Sequence, residues 1–273
     1  MKIEKVPYYL CLLVAITIVF SGCAEKESHP LAETLAETPA ETPVETQAQM
    51  ETFVGESKTL GNGTVCSWVT LDSEGKPSAI GINFSESALT GLSEGETVEY
   101  TLALPEEAAS TAFNHIGIDW NPEGHEPQGI YDKPHFDFHF YMISPEERDK
   151  ITASEADSEK LSKEPEPEYI PEGYVSTPGG VPRMGAHWVD PKAPEFNGQP
   201  FEETFIYGFY DGKMVFLEPM VTIAFLETKP ELTEDLKLPQ KYQKSAYYPT
   251  SYSIKYDEKS KEYTIALEGL TLR

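Results

Sequence analysis

Basic residues are scarce. Lys and Arg number 21 against 46 Asp and Glu in 273 residues, a formal net charge of -25. A phosphate backbone would be repelled rather than neutralised, which excludes nucleic acid as a partner. The same balance rules out docking on an anionic membrane through protein charge alone. Cysteine is equally sparse, with 3 in the chain, at positions 11, 23 and 66. No apolar run reaches the roughly 20 residues of a membrane-spanning helix. Several catalytic signatures are missing as well: there is no Gly-x-Ser-x-Gly elbow, no His-Glu-x-x-His, no Cys-x-x-Cys and no Gly-rich phosphate loop. The chain does contain 39% hydrophobic and 11% aromatic residues, enough for the core of one large β domain or two small ones.

The N-terminus reads as an address. Lys2 and Lys5 precede an apolar run over 8–20, the length of a signal-peptide core. The run closes on Phe20-Ser21-Gly22-Cys23, which resembles the lipobox of secreted lipoproteins, with Phe20 where that family has an aliphatic residue. The resemblance implies cleavage after residue 22, lipidation of Cys23, export, and attachment to the membrane through the lipid. Cys66 is then the only cysteine of the mature body, so no intramolecular disulfide can form. It lies in the apolar stretch Val65-Cys66-Ser67-Trp68-Val69 and reads as a small buried hydrophobe. Residues 23–52 carry a four-residue repeat of the type Ala36-Glu37-Thr38-Pro39. Without aromatics and with like charges, it cannot offset its ordering entropy and reads as a disordered stalk.

From residue 53 to 273 short apolar runs are punctuated by Gly, Pro and Asp, the texture of a mainly β domain, either an antiparallel barrel or a sandwich. Strands are expected over 64–71, 79–84, 97–104, 205–217, 251–256 and 262–267, the fourth a hairpin turning at Asp211-Gly212. A short helix is expected over 106–113. Pro219 is expected to break the return strand or place it at an edge, with a further strand over 221–226. Ser144-Pro145-Glu146-Glu147 has the capping-box pattern and predicts a polar helix running towards Leu161, part of a charged insertion near 144–170.

The clearest strand is His135-Phe136-Asp137-Phe138-His139-Phe140-Tyr141-Met142. Period-2 alternation places the phenylalanines on one face and His135, Asp137, His139 and Tyr141 on the other. Of 6 histidines, His29 lies in the stalk, and the others fall in three phrases near Gly, Pro and Trp. Glu218 adds a carboxylate to an otherwise apolar strand. Neutral imidazoles and carboxylates are ligands for a divalent transition metal of unspecified identity. Along a regular strand His135 and His139 are about 13 Å apart and cannot share one ion, whereas Asp137 can share an ion with either. The expected metal set is His125, Asp137, His139, His187 and Glu218, with His135 and Tyr141 in an outer, orienting role. The competing expectation is a solvent-facing polar side of an amphipathic strand.

Four phrases, 119–127, 131–142, Met184-Gly185-Ala186-His187-Trp188 and Tyr207-Gly208-Phe209-Tyr210-Asp211-Gly212, together resemble an uncharacterised family of exported proteins. Its founding member belongs to a sigma-E/anti-sigma-E stress regulon of a thermophile. The resemblance spans roughly residues 53–226 and implies a β-rich domain that assembles into a ring-shaped homo-oligomer. It implies no activity. Two functions remain open on the sequence: an exported, lipid-anchored metal-binding domain, or a non-catalytic envelope-stress or ligand-binding lipoprotein whose histidines are structural. Neither names a substrate or small-molecule ligand.

Overall fold

The structure, a computed structural model, describes residues 50–273. The signal peptide, Cys23 and nearly all of the expected stalk lie outside the described residues. The first strand begins at Glu51, so the folded part takes in two residues that the sequence reading gave to the stalk.

Alternating apolar and polar residues build two seven-stranded antiparallel sheets. In chain order the strands are β1 (Glu51–Val54), β2 (Lys58–Leu60), β3 (Gly63–Leu71), β4 (Pro77–Ser85), β5 (Val98–Ala103), β6 (His115–Asn121), β7 (His135–Tyr141) and β8 (Val175–Ser176). They continue with β9 (Ala186–Val189), β10 (Glu203–Tyr210), β11 (Lys213–Thr222), β12 (Glu231–Asp235), β13 (Tyr247–Tyr248), β14 (Ser251–Asp257), β15 (Glu262–Glu268) and β16 (Thr271–Leu272). The first sheet has the order β1-β3-β4-β15-β14-β12, with β2 also beside β3. The second has the order β5-β6-β7-β11-β10-β9-β8, and β13 pairs with β16 in a small third sheet. The two large sheets form a sandwich and not a closed barrel. Phe84 of the first stacks on Phe138 of the second, centroids 6.1 Å apart, and Phe205 meets Tyr252 at 4.9 Å. Ile116, Ile118, Phe136, Phe138 and Phe140 are fully buried in this core with Ile80, Ile82, Ile254 and Ile265 opposite.

Helix is confined, among the described residues, to short 3-10 turns and three brief α segments, α1 (Pro145–Arg148), α2 (Ser158–Leu161) and α3 (Ile223–Glu227). The capping box is present: Ser144 Oγ accepts from the Glu147 amide, and Glu147 Oε2 accepts from the Ser144 amide. The helix does not run on to Leu161. Thr152 donates through its amide and hydroxyl to Asp157, and Ala153 takes a left-handed φ of 48°, so local side-chain bonds replace helical ones. The segment expected as a helix over 106–113 is a 3-10 turn, Glu106–Ser110.

Pro219 corrects a second expectation. Strand β11 runs through it without a break and is central, between β7 and β10. Its pairing with β10 is continuous there, Phe205 opposite Pro219, while the ladder to β7 lapses between Leu217 and Met220. The missing N–H thus falls where no ladder bond is made. Beyond Thr222 the chain turns into α3 instead of the strand expected over 221–226; the Thr222 hydroxyl caps it by accepting from the Phe225 amide at 3.2 Å.

Candidate metal centre

In the second sheet the face turned away from the sandwich core carries a group of polar residues that are nevertheless buried, beside the apolar Ile206, Phe216 and Met220. Register sets them side by side: on β6 and β7, Asn121 lies opposite His135, Asp119 opposite Asp137, Gly117 opposite His139 and His115 opposite Tyr141. Strand β11 brings Glu218 alongside, and β9 places His187 opposite Gly208 of β10. Gly208 is needed there, because a Cβ would run into the Phe216 ring. The solvent-facing alternative is thereby overturned: His135, His139, Glu218 and Asp137 are 0%, 1%, 2% and 3% exposed. Phe201 covers His135 edge-on at 5.3 Å, and the loop carrying His125 and Tyr131 folds over Asp137.

Six residues drawn from β7, β9, β11 and one loop form two groups. In the first, His135 Nε2 lies 3.0 Å from Asp137 Oδ1, and His125 Nε2 lies 3.3 Å from Asp137 Oδ2. In the second, His139 Nε2 lies 3.3 Å from Glu218 Oε1, and His187 Nε2 lies 3.8 Å from Glu218 Oε2. Within each trio one ligand atom per residue lies within 4.8 Å of the others. Metal–ligand bonds of about 2.1 Å separate tetrahedral ligand atoms by roughly 3.4 Å, so both trios are of a size to close on an ion. Asp119 approaches the second trio, its Oδ2 3.7 Å from His139 Nδ1.

The ring orientations in the first trio are set from outside it. His125 Nδ1 donates to the Glu126 carbonyl at 2.7 Å, and His135 Nδ1 donates to the Lys133 carbonyl at 2.6 Å. A carbonyl only accepts, so each Nδ1 carries a proton and each ring turns its Nε2 towards Asp137. Lone pair facing carboxylate requires a cation between them, either a proton on each ring or one metal ion. Asn121 Nδ2 holds Asp137 Oδ2 at 2.8 Å and is itself held by Thr97 at 3.0 Å. Backbone and amide partners of this kind orient metal ligands and fix their tautomer. His135 Nε2, Asp137 Oδ1, both nitrogens of His139 and Glu218 Oε2 are buried without a hydrogen-bond partner. Donor atoms that meet at short range without bonding one another are aimed at a common point.

Burial shapes the charges. It would raise the Asp137 carboxyl, but the flanking imidazoles outweigh it and hold the group below its usual range. Burial also opposes a charge on His125, and there the Asp137 carboxylate wins and raises the ring. In the second trio burial pushes His139 down to about 3 and His187 down to about 4. Burial, then Asp137 and Asp119, lifts Glu218 well above the usual carboxylate range, and burial with Asp137 lifts Asp119 to about 7.

Of the five residues expected as ligands, Asp137, His139, His187 and Glu218 lie on this face and the exposed His125 reaches it from a loop, and they are divided between two trios instead of gathered in one pocket. His135, assigned an outer role from sequence, supplies its Nε2 to the first trio. Tyr141 stacks on His139 at 5.4 Å and on His115 at 4.8 Å, beside the site. Asp119, Asn121 and His115 were missed, although a signal was present. His115, Gly117, Asp119 and Asn121 alternate with Ile116, Ile118 and Trp120, the same pattern that identified β7.

Fold and site define an antiparallel β-sandwich with paired imidazole–carboxylate clusters on the outer face of one sheet. A sequence-family profile described as TTHB210-like, hypothetical protein TTHB210, matches residues 72–120. The family is uncharacterised, and the match takes in β4, β5 and most of β6, including Asp119 but neither trio. It is shorter than the 53–226 span of the resembling phrases. No curated protein and no solved structure matches the chain.

Proposed function

We propose that this chain is an exported, lipid-anchored protein whose β-sandwich binds divalent transition-metal ions at the two trios. The observation that carries the metal reading is the convergence of imidazole and carboxylate atoms in each trio, among which His135 Nε2, Asp137 Oδ1, His139 Nε2 and Glu218 Oε2 are buried without a hydrogen-bond partner. Two imidazoles and one carboxylate per trio suit zinc and its first-row neighbours, with a coordination position left for water. Access differs between the trios: the side chain of His125 is 38% exposed, whereas the most exposed member of the second trio, His187, is 17% exposed. The first trio is therefore the faster to exchange its ion with solvent. The Phe20-Ser21-Gly22-Cys23 sequence and the Ala/Glu/Thr/Pro repeat support a tether that holds the domain away from a membrane surface.

Elemental analysis of mature protein purified without a His tag is the test. Protein dialysed against zinc and then against buffer should retain two ions per chain, and a chelator should remove them. Protein that retains no transition metal would sink the reading and leave the cluster as a proton-bridged structural feature.

A further inference from the structure

A cleft of about 400 Å³ opens near the β10–β11 turn, away from both trios. Its floor is apolar and rigid, formed by the buried Ala112, Ile151, Met214, Val215 and Tyr248. Its rim carries Lys150, Lys160, Lys213 and Lys244. In a chain of net charge -25 this is an unusual concentration of positive charge. Six lysines elsewhere, Lys76, Lys229, Lys237, Lys241, Lys255 and Lys261, each hold a carboxylate, whereas Lys192 and Lys259, which are dispersed on the surface, do not. No carboxylate of the described residues lies within 4.0 Å of any of the four rim lysines.

Two acidic residues also line the cleft, and both are occupied. Glu147 accepts from the Ser144 amide in the capping box, and Asp211 accepts from Lys163 Nζ at 2.7 Å. Asp211 also acts through space on Lys160 and Lys213, so it offsets the rim in part. Lys160 lies over the Tyr210 ring, 5.4 Å from its centre, and the four lysines outnumber the two lining carboxylates over an apolar floor, in a concavity of ordinary ligand-site size. We infer that this cleft binds a small organic anion with an apolar body, its acid group among the lysines and its hydrocarbon on Met214, Val215 and Tyr248. The inference is independent of the metal reading.

Octanoate is a suitable probe, titrated calorimetrically into metal-free mature protein at low salt so that the trios cannot contribute. Octanoate should bind, whereas octylammonium and inorganic phosphate should not, since one lacks the charge and the other the apolar body. The double variant Lys150→Gln/Lys213→Gln should weaken octanoate at least tenfold. The charge-matched control Lys192→Gln/Lys259→Gln, away from the cleft, should leave it unchanged. All four positions are exposed, so the variants keep the fold. Absence of octanoate binding, equal weakening by the control, or equal binding of phosphate or octylammonium would overturn the inference.

Discussion

Replacing one ligand in each trio separates two ions from one. His135→Gln removes an imidazole from the first trio and leaves His139, His187 and Glu218 in place; His139→Gln does the reverse. An ion that binds only the folded chain stabilises it by about 2.7 kcal/mol at a free concentration of 100 times its dissociation constant. For a domain of this size each kcal/mol moves Tm by about 2–4 °C, so one filled trio is worth roughly 5–11 °C and two about twice that. The readout is the difference in Tm between zinc-loaded and chelator-stripped protein, measured by differential scanning fluorimetry for each variant against its own stripped form. That comparison is necessary because both rings are fully buried and their replacement alters stability on its own. Each single variant should retain about half of the wild-type shift, and the double variant none. If either single substitution abolishes the entire shift, the trios share one ion and the separation argued from the 13 Å strand spacing is wrong.

A carboxylate away from the site gives a pH signature. Burial, reinforced by Glu234, Glu195 and Glu202 and opposed by the Tyr252 hydroxyl, raises Glu203 to about 7. Its folded form holds the proton more tightly than the unfolded chain, so this stabilisation is complete below the unfolded value near 4.5 and is lost as pH rises through about 7. Glu203→Gln, which keeps an acceptor for Tyr252, should remove up to about 3 kcal/mol of pH-dependent loss between pH 4.5 and 7.5. Urea denaturation at both values tests it, and identical slopes in wild type and variant would refute the burial argument. The lipid anchor is tested by Cys23→Ser: wild-type protein should partition into a detergent phase and the variant into water, and equal aqueous partitioning would refute lipidation.

The alternation in β7 was legible because each apolar position is a phenylalanine and each polar one a His, Asp or Tyr. The same alternation in β6 is interrupted by Gly117, which carries no side chain to mark a face, and Asp119 went unread with it. Nothing local announces that β11, some 80 residues later in sequence, lies against β7. Pro219 argued against a central strand, and only the lapse in the β7 ladder reconciles the two. Burial of the polar face was not legible for the same reason. Phe201, the 122–134 loop and the segment after β7 cover it through contacts distant in sequence. A period-2 pattern identifies two faces but not what each will meet.

What the second sheet meets on its outer side is the physical puzzle of this fold. An antiparallel sheet ordinarily solvates one face, yet here Asp119, Asp137 and Glu218 are enclosed together with the buried imidazoles of His135 and His139. Three carboxylates in one patch cannot all ionise without nearby positive charge. Fixed cations supply only part of it: Arg148 is buried, lies 5.0 Å from the Tyr141 ring centre and pairs with Glu99 at 2.9 Å, and with Arg183 it lowers Asp119 less than burial and Asp137 raise it. Further neutralising charge is mobile. Protons can provide it, and they do so in part, by lifting Asp119 and Glu218 out of the usual carboxylate range. Both nitrogens of His139 and His135 Nε2 are buried without a hydrogen-bond partner, the last 3.0 Å from Asp137 Oδ1. On the proposed metal reading, a divalent ion in each trio would ligate a ring nitrogen of each histidine and would add positive charge beside the carboxylates.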